Sequence, residues 1–288
     1  MSYHKSIKPF TTHVPTWCPG CGDWAINSAI KRSFVNIGYT PSDVCVVFGI
    51  GCSGNMNDHL NAYAFHALHG RSIPVALGVK LANHDLPVLV VAGDGDTYGE
   101  GGNHLLHASR GNHDITVIIH DNSVYGLTTG QVAPTALHGM RAKSTPTGMI
   151  ERSISPLALL VSQGATFVAQ TFAGYLDHAS EMVEAAMRHK GFSVVNVLQP
   201  CVTFNRVNTY QYYLEKSYYL GKEHNPKDKQ SAMKAALEMD NERYALGIVY
   251  EDKDAPVYHE QVPTFDGGAL VSQTPKRPID VLTEEFLA

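Results

Sequence analysis

The sequence predicts an α/β protein with a mostly parallel sheet flanked by helices, a class that binds ligands at the carboxyl ends of its strands. Three observations carry that prediction. Predominantly apolar runs at residues 44–50, 88–93 and 115–121 end at or beside glycine or aspartate, the pattern of strands buried on both faces. Segments with apolar residues at helical spacing separate them. The 288 residues are 44% hydrophobic and 17% charged, enough to bury a large core and too apolar for a disordered chain.

The elements follow in order. Residues 23–36 read as a helix because Trp24, Ala25, Ile26, Ala29, Ile30 and Phe34 recur at helical spacing and Gly38 closes it. The first strand is 44–50. A helix at 73–82 precedes the strand at 88–93, and a helix at about 103–109 precedes the strand at 115–121. Residues 128–148 are rich in Gly, Thr and Pro and read as loop. Helix 156–163, strand 166–170, helix 176–188 and strand 193–198 complete the alternation. Beyond this the character changes. Tyr210, Tyr212, Tyr213, Tyr218 and Tyr219 crowd a helix-like segment, suited to a partner-facing patch or to packing. A charged helix at 227–240 and a Pro-rich, irregular tail follow. The predicted division is a ligand-binding α/β domain at 1–203 and a C-terminal extension at 204–288, packed on the core or on a partner.

A net charge of −5 supplies no basic field for nucleic acid or anionic lipid. No apolar run approaches the ~18–20 residues needed to span a bilayer, and the N-terminus lacks the apolar stretch of a secretory signal. Five cysteines, two as Cys18-Pro19-Gly20-Cys21, do not resemble an extracellular disulfide framework. A soluble, cytoplasmic protein with no nucleic-acid or membrane partner is expected.

The most informative segments are Gly93-Asp94-Gly95-Asp96 and Asp121-Asn122-Ser123-Val124-Tyr125-Gly126, each at the end of a predicted strand. Asp94 offers an anionic oxygen, Asn122 an amide oxygen and Val124 a backbone carbonyl. That set leaves room for phosphate oxygens and water around Mg²⁺. Gly93 and Gly95 let the backbone approach a diphosphate, and amides near Asp96 donate to it. Ordinary turns also use Gly, Asp and Asn; the two segments together are far more specific than either alone. The arrangement resembles the diphosphate-binding motif of thiamine diphosphate (ThDP) enzymes. In that group a glutamate on a separate domain activates the cofactor's aminopyrimidine ring. Residues 1–99 contain no glutamate, the first being Glu100. The activating glutamate is therefore expected from a partner subunit, and this chain alone is expected to be inactive.

Cys18 and Cys21 precede the first helix. Cys52 follows the first strand in Gly49-Ile50-Gly51-Cys52-Ser53-Gly54, and Cys201 follows Pro200 beyond the last core strand. Four loop thiolates can hold Zn²⁺ or an iron–sulfur cluster, and this spacing serves both. A neighbouring ThDP favours the cluster, because stepwise oxidation needs a one-electron acceptor and zinc has no accessible redox state. Inert buried thiols are the plain alternative, and the one that suits Cys45, which sits among Val44, Val46 and Val47.

These segments fall in one order with Trp17-Cys18-Pro19-Gly20-Cys21-Gly22-Asp23, His66-Ala67-Leu68-His69-Gly70-Arg71 and Tyr125-Gly126-Leu127-Thr128. From about residue 15 to 208 the chain resembles the beta subunit of two-subunit-type 2-oxoacid:ferredoxin oxidoreductases. The resemblance implies a ThDP diphosphate-binding domain in which Cys18, Cys21, Cys52 and Cys201 ligate a [4Fe–4S] cluster. It implies that Asp94, Asn122 and the Val124 carbonyl hold Mg²⁺, and that Ile50, Gly51, Cys52, Ser53, His69, Gly95, Asp96, Gly126 and Leu127 contact ThDP. An alpha subunit would complete the substrate pocket, in a heterodimer or a dimer of heterodimers. The implied reaction is CoA-dependent oxidative decarboxylation of a 2-oxoacid to acyl-CoA and CO₂, with electrons passed through the cluster to ferredoxin.

His69 would donate a hydrogen bond near the diphosphate or substrate carboxylate, or simply pack beside His66. Arg71 would bind an anion or cap a turn. Several relatives carry Lys or Arg where this chain has Asn55. A neutral amide there pairs poorly with the distal carboxylate of 2-oxoglutarate and leans toward pyruvate or a broad substrate range. Two other functions compete: a non-oxidative ThDP component with no cluster, and a non-catalytic module with zinc on the thiolates.

Overall fold

The structure is a computed structural model and describes residues 6–274 together with Thr283 and Leu287. The remainder of the predicted C-terminal extension lies outside the described residues. Helix α1 (Asp23–Ile37) buries Ile26, Ala29, Ile30 and Phe34 and stops at Gly38, whose φ of +98° only glycine adopts cheaply. Then come β1 (Cys45–Phe48), β2 (Tyr63–His66), α2 (Ser72–Ala82), β3 (Val88–Gly93), α3 (Gly102–Gly111) and β4 (Thr116–Asp121). A small hairpin follows, β5 (Val124–Tyr125) with β6 (Gln131–Val132), then α4 (Pro156–Gln163), β7 (Phe167–Phe172), α5 (Leu176–Arg188) and β8 (Ser193–Leu198). The chain continues through α6 (Tyr210–Lys216), β9 (Ser217–Tyr219), α7 (Lys229–Leu237) and β10 (Tyr244–Glu251).

The main sheet has the order β2-β1-β3-β4-β8-β7-β10-β9. Strands β2 through β7 of that order run parallel, β10 pairs antiparallel to β7, and β9 lies parallel to β10. Alternation of side chains divides the core into two layers. On one face Val88, Val90 and Ala92 of β3 pack with Ile73, Leu105, Leu157 and Ala232 from α2, α3, α4 and α7. On the other, Leu89 and Val91 pack with Ile26, Ile30, Phe34 and Val183 from α1 and α5. Every residue of β4, β7 and β8 is buried, which explains how few charged residues they carry.

Four points differ from the sequence prediction. The first strand stops at Phe48, leaving Gly49 and Ile50 in the following loop. β2 is a strand that the sequence does not signal, because its four residues are all exposed and it lies on the edge, so no apolar run announces it. The tyrosine-rich segment is helical only to Lys216 and then turns into β9. The region expected to be an irregular tail contains β10, whose Gly247 (φ +126°) precedes a register shift against β7. That segment is held as a strand by antiparallel pairing with β7 on one side and parallel pairing with β9 on the other. Residues beyond 203 thus add two strands to the same sheet.

The strand order also sets where the loops meet. β1, β3, β4 and β8 are consecutive neighbours, and the loops at 49–54, 93–96, 121–127 and 199–201 leave their four carboxyl ends side by side.

Candidate active site

These loops enclose a cleft at the carboxyl ends of the strands. Its lining includes Ile50, Gly51, Cys52, Ser53, His69, Gly95, Asp96, Gly126 and Leu127, as well as Asp94, Asn122 and Val124. Asn55 does not line it; it lies in the short turn Gly54–Asp58.

On the carboxylate side, Asp94 is fully enclosed. Its Oδ2 accepts from the Ser123 N–H at 2.8 Å and the Thr135 hydroxyl at 2.5 Å. Burial, then the neighbouring Asp121, pushes its carboxyl well above the ordinary range. A buried carboxylate pair so placed is relieved by a cation. Asn122 Oδ1 accepts from the Val124 N–H at 3.0 Å, which fixes which way the amide faces. Each carbonyl or carboxylate oxygen set keeps lone pairs for a metal, so Asp94 and Asn122 fit a Mg²⁺ ion shared with phosphate oxygens. Thr135 lies in the loop-like stretch, and nothing in its sequence marks it.

Asp96 Oδ1 accepts from the Gly70 N–H at 2.7 Å and lies 2.6 Å from His69 Nδ1. His69 is thus oriented by a buried carboxylate and remains partly exposed at the cleft. The carboxylate crowds the loop after β1 so closely that a Cβ on Gly49 would lie 1.9 Å from Asp96 Oδ2. Tyr125 covers Gly95 in the same manner, its ring 2.5 Å from where a Cβ would stand. These two glycines are required by close approach.

A second buried pair escapes sequence reasoning. His120 Nδ1 lies 2.6 Å from Asp23 Oδ1, both side chains almost wholly enclosed. His120 lines the cleft, and its Nε2 has no partner among the described residues. A histidine directly after the apolar Val117-Ile118-Ile119 is the available clue. Ser53 Oγ, Asp96 Oδ2 and Asp121 Oδ1 are likewise unpartnered and buried beside the cleft. Such a concentration of unmet hydrogen-bonding groups marks a place where a polar ligand completes the structure.

On the sulfur side, cross-links draw three loops together. Trp17 Nε1 donates to the Cys52 carbonyl at 2.8 Å, and the Gly22 N–H donates to the Pro200 carbonyl at 3.3 Å. Cys52 Sγ and Cys201 Sγ lie 3.5 and 3.6 Å from the point where a Cβ on Gly126 would begin. Cys21 contacts Asp23 Oδ2 at 3.2 Å, and Trp24 Nε1 donates to the Cys18 carbonyl at 3.2 Å. All are free cysteines. Burial raises the Cys52 thiol to about 12, with Asp23, Cys201 and Cys18 adding to the effect. Cys21 moves in the same direction for the same first reason. Thiols this reluctant to ionise are poor nucleophiles but become thiolates when a metal takes the proton's place. Among the described residues, no three His, Cys, Asp or Glu side chains converge closely enough to cage a single ion. A four-iron cluster is larger than one ion and takes one thiolate per iron, so wider spacing suits it. Cys45 is buried at the start of β1, at the opposite end of that strand from Cys52.

Comparison with known proteins agrees with this geometry. Residues 49–197 match the family described as thiamine pyrophosphate enzyme, C-terminal TPP binding domain. Residues 201–267 match the family that describes the C-terminal part of the pyruvate ferredoxin oxidoreductase beta subunit. The chain is 39% identical to 2-oxoacid:ferredoxin oxidoreductase 2, subunit beta, of Aeropyrum pernix, over 94% of this chain and 91% of the relative. It is 40% identical to the 2-oxoglutarate synthase subunit KorB of Archaeoglobus fulgidus, over 68% of this chain and 74% of the relative. A solved structure of 2-oxoglutarate:ferredoxin oxidoreductase from Magnetococcus marinus, with 2-oxoglutarate, coenzyme A and succinyl-CoA bound, superposes with a TM-score of 0.90. That match has 33% identity and covers 98% of this chain and 96% of the other.

Proposed function

The chain belongs to the beta subunits of 2-oxoacid:ferredoxin oxidoreductases, and from that premise we propose that it carries the ThDP diphosphate site and a [4Fe–4S] cluster of a CoA-dependent 2-oxoacid oxidoreductase. The reaction converts a 2-oxoacid and coenzyme A to acyl-CoA and CO₂, with the electrons delivered to ferredoxin. One observation carries the reading: Gly126 lines the cleft and also lies against the sulfurs of Cys52 and Cys201, so two cofactor sites share one loop. When bound, ThDP supplies the carbon-centred nucleophile and electron sink that decarboxylation needs, and the cluster accepts single electrons.

The protein's own residues have the following parts. Asp94, Asn122 and the Val124 carbonyl hold Mg²⁺ and through it the diphosphate. Glycines at 49 and 95 let Asp96 and Tyr125 close on the loops, and backbone amides near Asp96 donate to phosphate oxygens. His69, held at Nδ1 by Asp96, presents its other ring nitrogen to the cleft, where it hydrogen-bonds the diphosphate or the substrate carboxylate. Ile50, Ser53 and Leu127 shape the walls. Cys18, Cys21, Cys52 and Cys201 ligate the cluster. The activating glutamate comes from the alpha subunit, and the assembly works in a reducing cytoplasm, which suits a chain whose cysteines form no disulfide among the described residues. Relatives named for 2-oxoacids in general and for 2-oxoglutarate support a 2-oxoacid substrate. The coenzyme A and succinyl-CoA bound in the M. marinus enzyme support the thioester product.

The test is anaerobic co-purification with the alpha chain, iron and acid-labile sulfide analysis, and viologen reduction with pyruvate or 2-oxoglutarate, with and without coenzyme A. Iron, sulfide and CoA-dependent reduction are expected. Zinc without iron, or turnover that ignores the electron acceptor, would overturn the reading.

A further inference from the structure

Gln199 is the first residue after β8 and is 1% exposed. Its backbone N–H donates to the Asp121 carbonyl at 2.8 Å, which holds the residue between the two halves of the cleft. Its side-chain Oε1 accepts from Asn122 Nδ2 at 2.9 Å, and its Nε2 donates to Cys21 Sγ at 3.3 Å. The direction of these hydrogen bonds is not arbitrary. The Val124 N–H is a donor only, so it requires Asn122 to turn Oδ1 toward it. Asn122 Nδ2 must then face Gln199, which turns its oxygen to Asn122 and its N–H to the sulfur. Space is reserved for the amide as well: a Cβ on Gly22 would stand 2.5 Å from Gln199 Cγ, so the glycine after Cys21 admits it.

The contact between Cys21 and Asp23 behaves differently. It uses the thiol's own proton, which leaves when the sulfur ligates a metal. The Gln199 donor survives that change and strengthens, since its acceptor becomes a thiolate. We propose that Gln199 is a positioning residue shared by both cofactor sites: its amide N–H stabilises the Cys21 thiolate and raises the reduction potential of the cluster, while its amide oxygen keeps Asn122 facing the magnesium. The proposal rests on the reading above, in which Cys21 ligates a cluster and Asn122 a Mg²⁺ ion. Hydrogen bonds to cluster sulfurs favour the reduced, more negative state, and partners that orient a metal ligand are worth roughly 10–100-fold in affinity.

The experiment uses the complete enzyme with its alpha chain, purified anaerobically, as wild type, Gln199→Met and Gln199→Glu. The midpoint potential of the cluster is read by EPR-monitored titration, and the Kd of ThDP is measured in the presence of Mg²⁺. Gln199→Met is expected to lower the potential and to raise the Kd about tenfold. Gln199→Glu keeps an oxygen for Asn122 but puts a carboxylate beside the sulfur. It is expected to lower the potential while leaving the Kd within about twofold of wild type, a separation that a merely structural role does not produce. Unchanged potential and Kd in both variants overturn the proposal. Should either variant fold poorly, wild-type enzyme carrying ¹⁵N in the glutamine side-chain amide decides: hyperfine coupling of that nitrogen to the reduced cluster is expected, and its absence overturns the role. A wild-type enzyme without iron, sulfide or EPR signal defeats the underlying reading instead, and is told apart on that ground.

Discussion

At the amino ends of the central strands, Asn112 Oδ1 accepts from the Phe192 N–H and the Thr166 hydroxyl, each at 2.8 Å, and its Nδ2 donates to the Pro256 carbonyl at 3.0 Å. Nearby, Lys80 meets Asp114 at 2.7 Å with little exposure. At the carboxyl ends of the same sheet, Asp94 and Asp121 lie buried close together, and Ser53, Asp96, Thr97, His120 and Asp121 each keep a polar atom unpartnered among the described residues. At the amino end, His84 Nδ1 is in that condition. A buried group without a partner costs about 1–3 kcal/mol. One end of the sheet thus closes most of its hydrogen bonds internally and stabilises the fold. The other leaves bonds for ligands to complete and sacrifices stability for binding.

Asp94 offers the largest contrast between the two ends. Asp94→Ala is expected to weaken Mg²⁺–ThDP binding at least about a hundredfold by titration calorimetry, a loss of roughly 2.7 kcal/mol or more. The cluster's visible absorbance should persist, and the cofactor-free protein should melt no lower, because a crowded buried carboxylate has been removed. Normal turnover in this variant would refute the metal assignment.

The two ends of β1 offer the next test. Cys52→Ala, beyond its carboxyl end, should lose most of the bound iron by elemental analysis. Cys45→Ala, at its amino end, should keep the iron and cost about 1 kcal/mol of stability. Equal iron loss would erase the distinction between the ends. At the amino end proper, Asn112→Ala strands the buried Phe192 N–H, whereas the Thr166 hydroxyl keeps His189 Nε2 and the Phe192 carbonyl as partners. It should destabilise by about 1–3 kcal/mol in urea titration while the affinity for ThDP stays unchanged.

The smallest effect is the response to pH, where the two ends differ in sign. Burial lowers the pKa of His189, which sits beside Thr166 at the amino end. The unfolded chain then takes up a proton near pH ~6.5 that the folded chain refuses, so stability falls as pH drops below about 6.5. Burial raises Asp94, so its contribution is fully present below the unfolded carboxylate value of about 3.9 and is lost as pH rises through the folded value. In cofactor-free protein, His189→Gln should flatten the acid side of the Tm–pH curve. Asp94→Asn should flatten the fall on the neutral side.

Some of the molecule is legible in residues taken a few at a time. The apolar residues of β3, β4 and β8 announce strands because burial on both faces selects Val, Ile and Leu, with Thr116, His120, Asp121, Ser193 and Asn196 as buried polar exceptions. Gly95 and Asp96 announce a close-approach loop because only glycine tolerates a ring or carboxylate at that distance. β2 and β10 are not legible, since an exposed edge and an antiparallel addition draw their strand character from their neighbours. Nor is the position of Asn55 outside the cleft, because sequence proximity to Cys52 does not fix where a turn points.

Periodicity and short-range spacing along the chain were enough to establish the alternation of strands and helices, the residue types offered on each loop and the kinship of the protein. Strand order, which makes four of those loops neighbours, came only with the folded chain. So did the meeting of Asp23 with His120 across 97 residues and of Gln199 with Cys21 across 178. Hydrogen bonds and charges act over a few ångströms, and only the folded path of the chain brings such distant groups within that range.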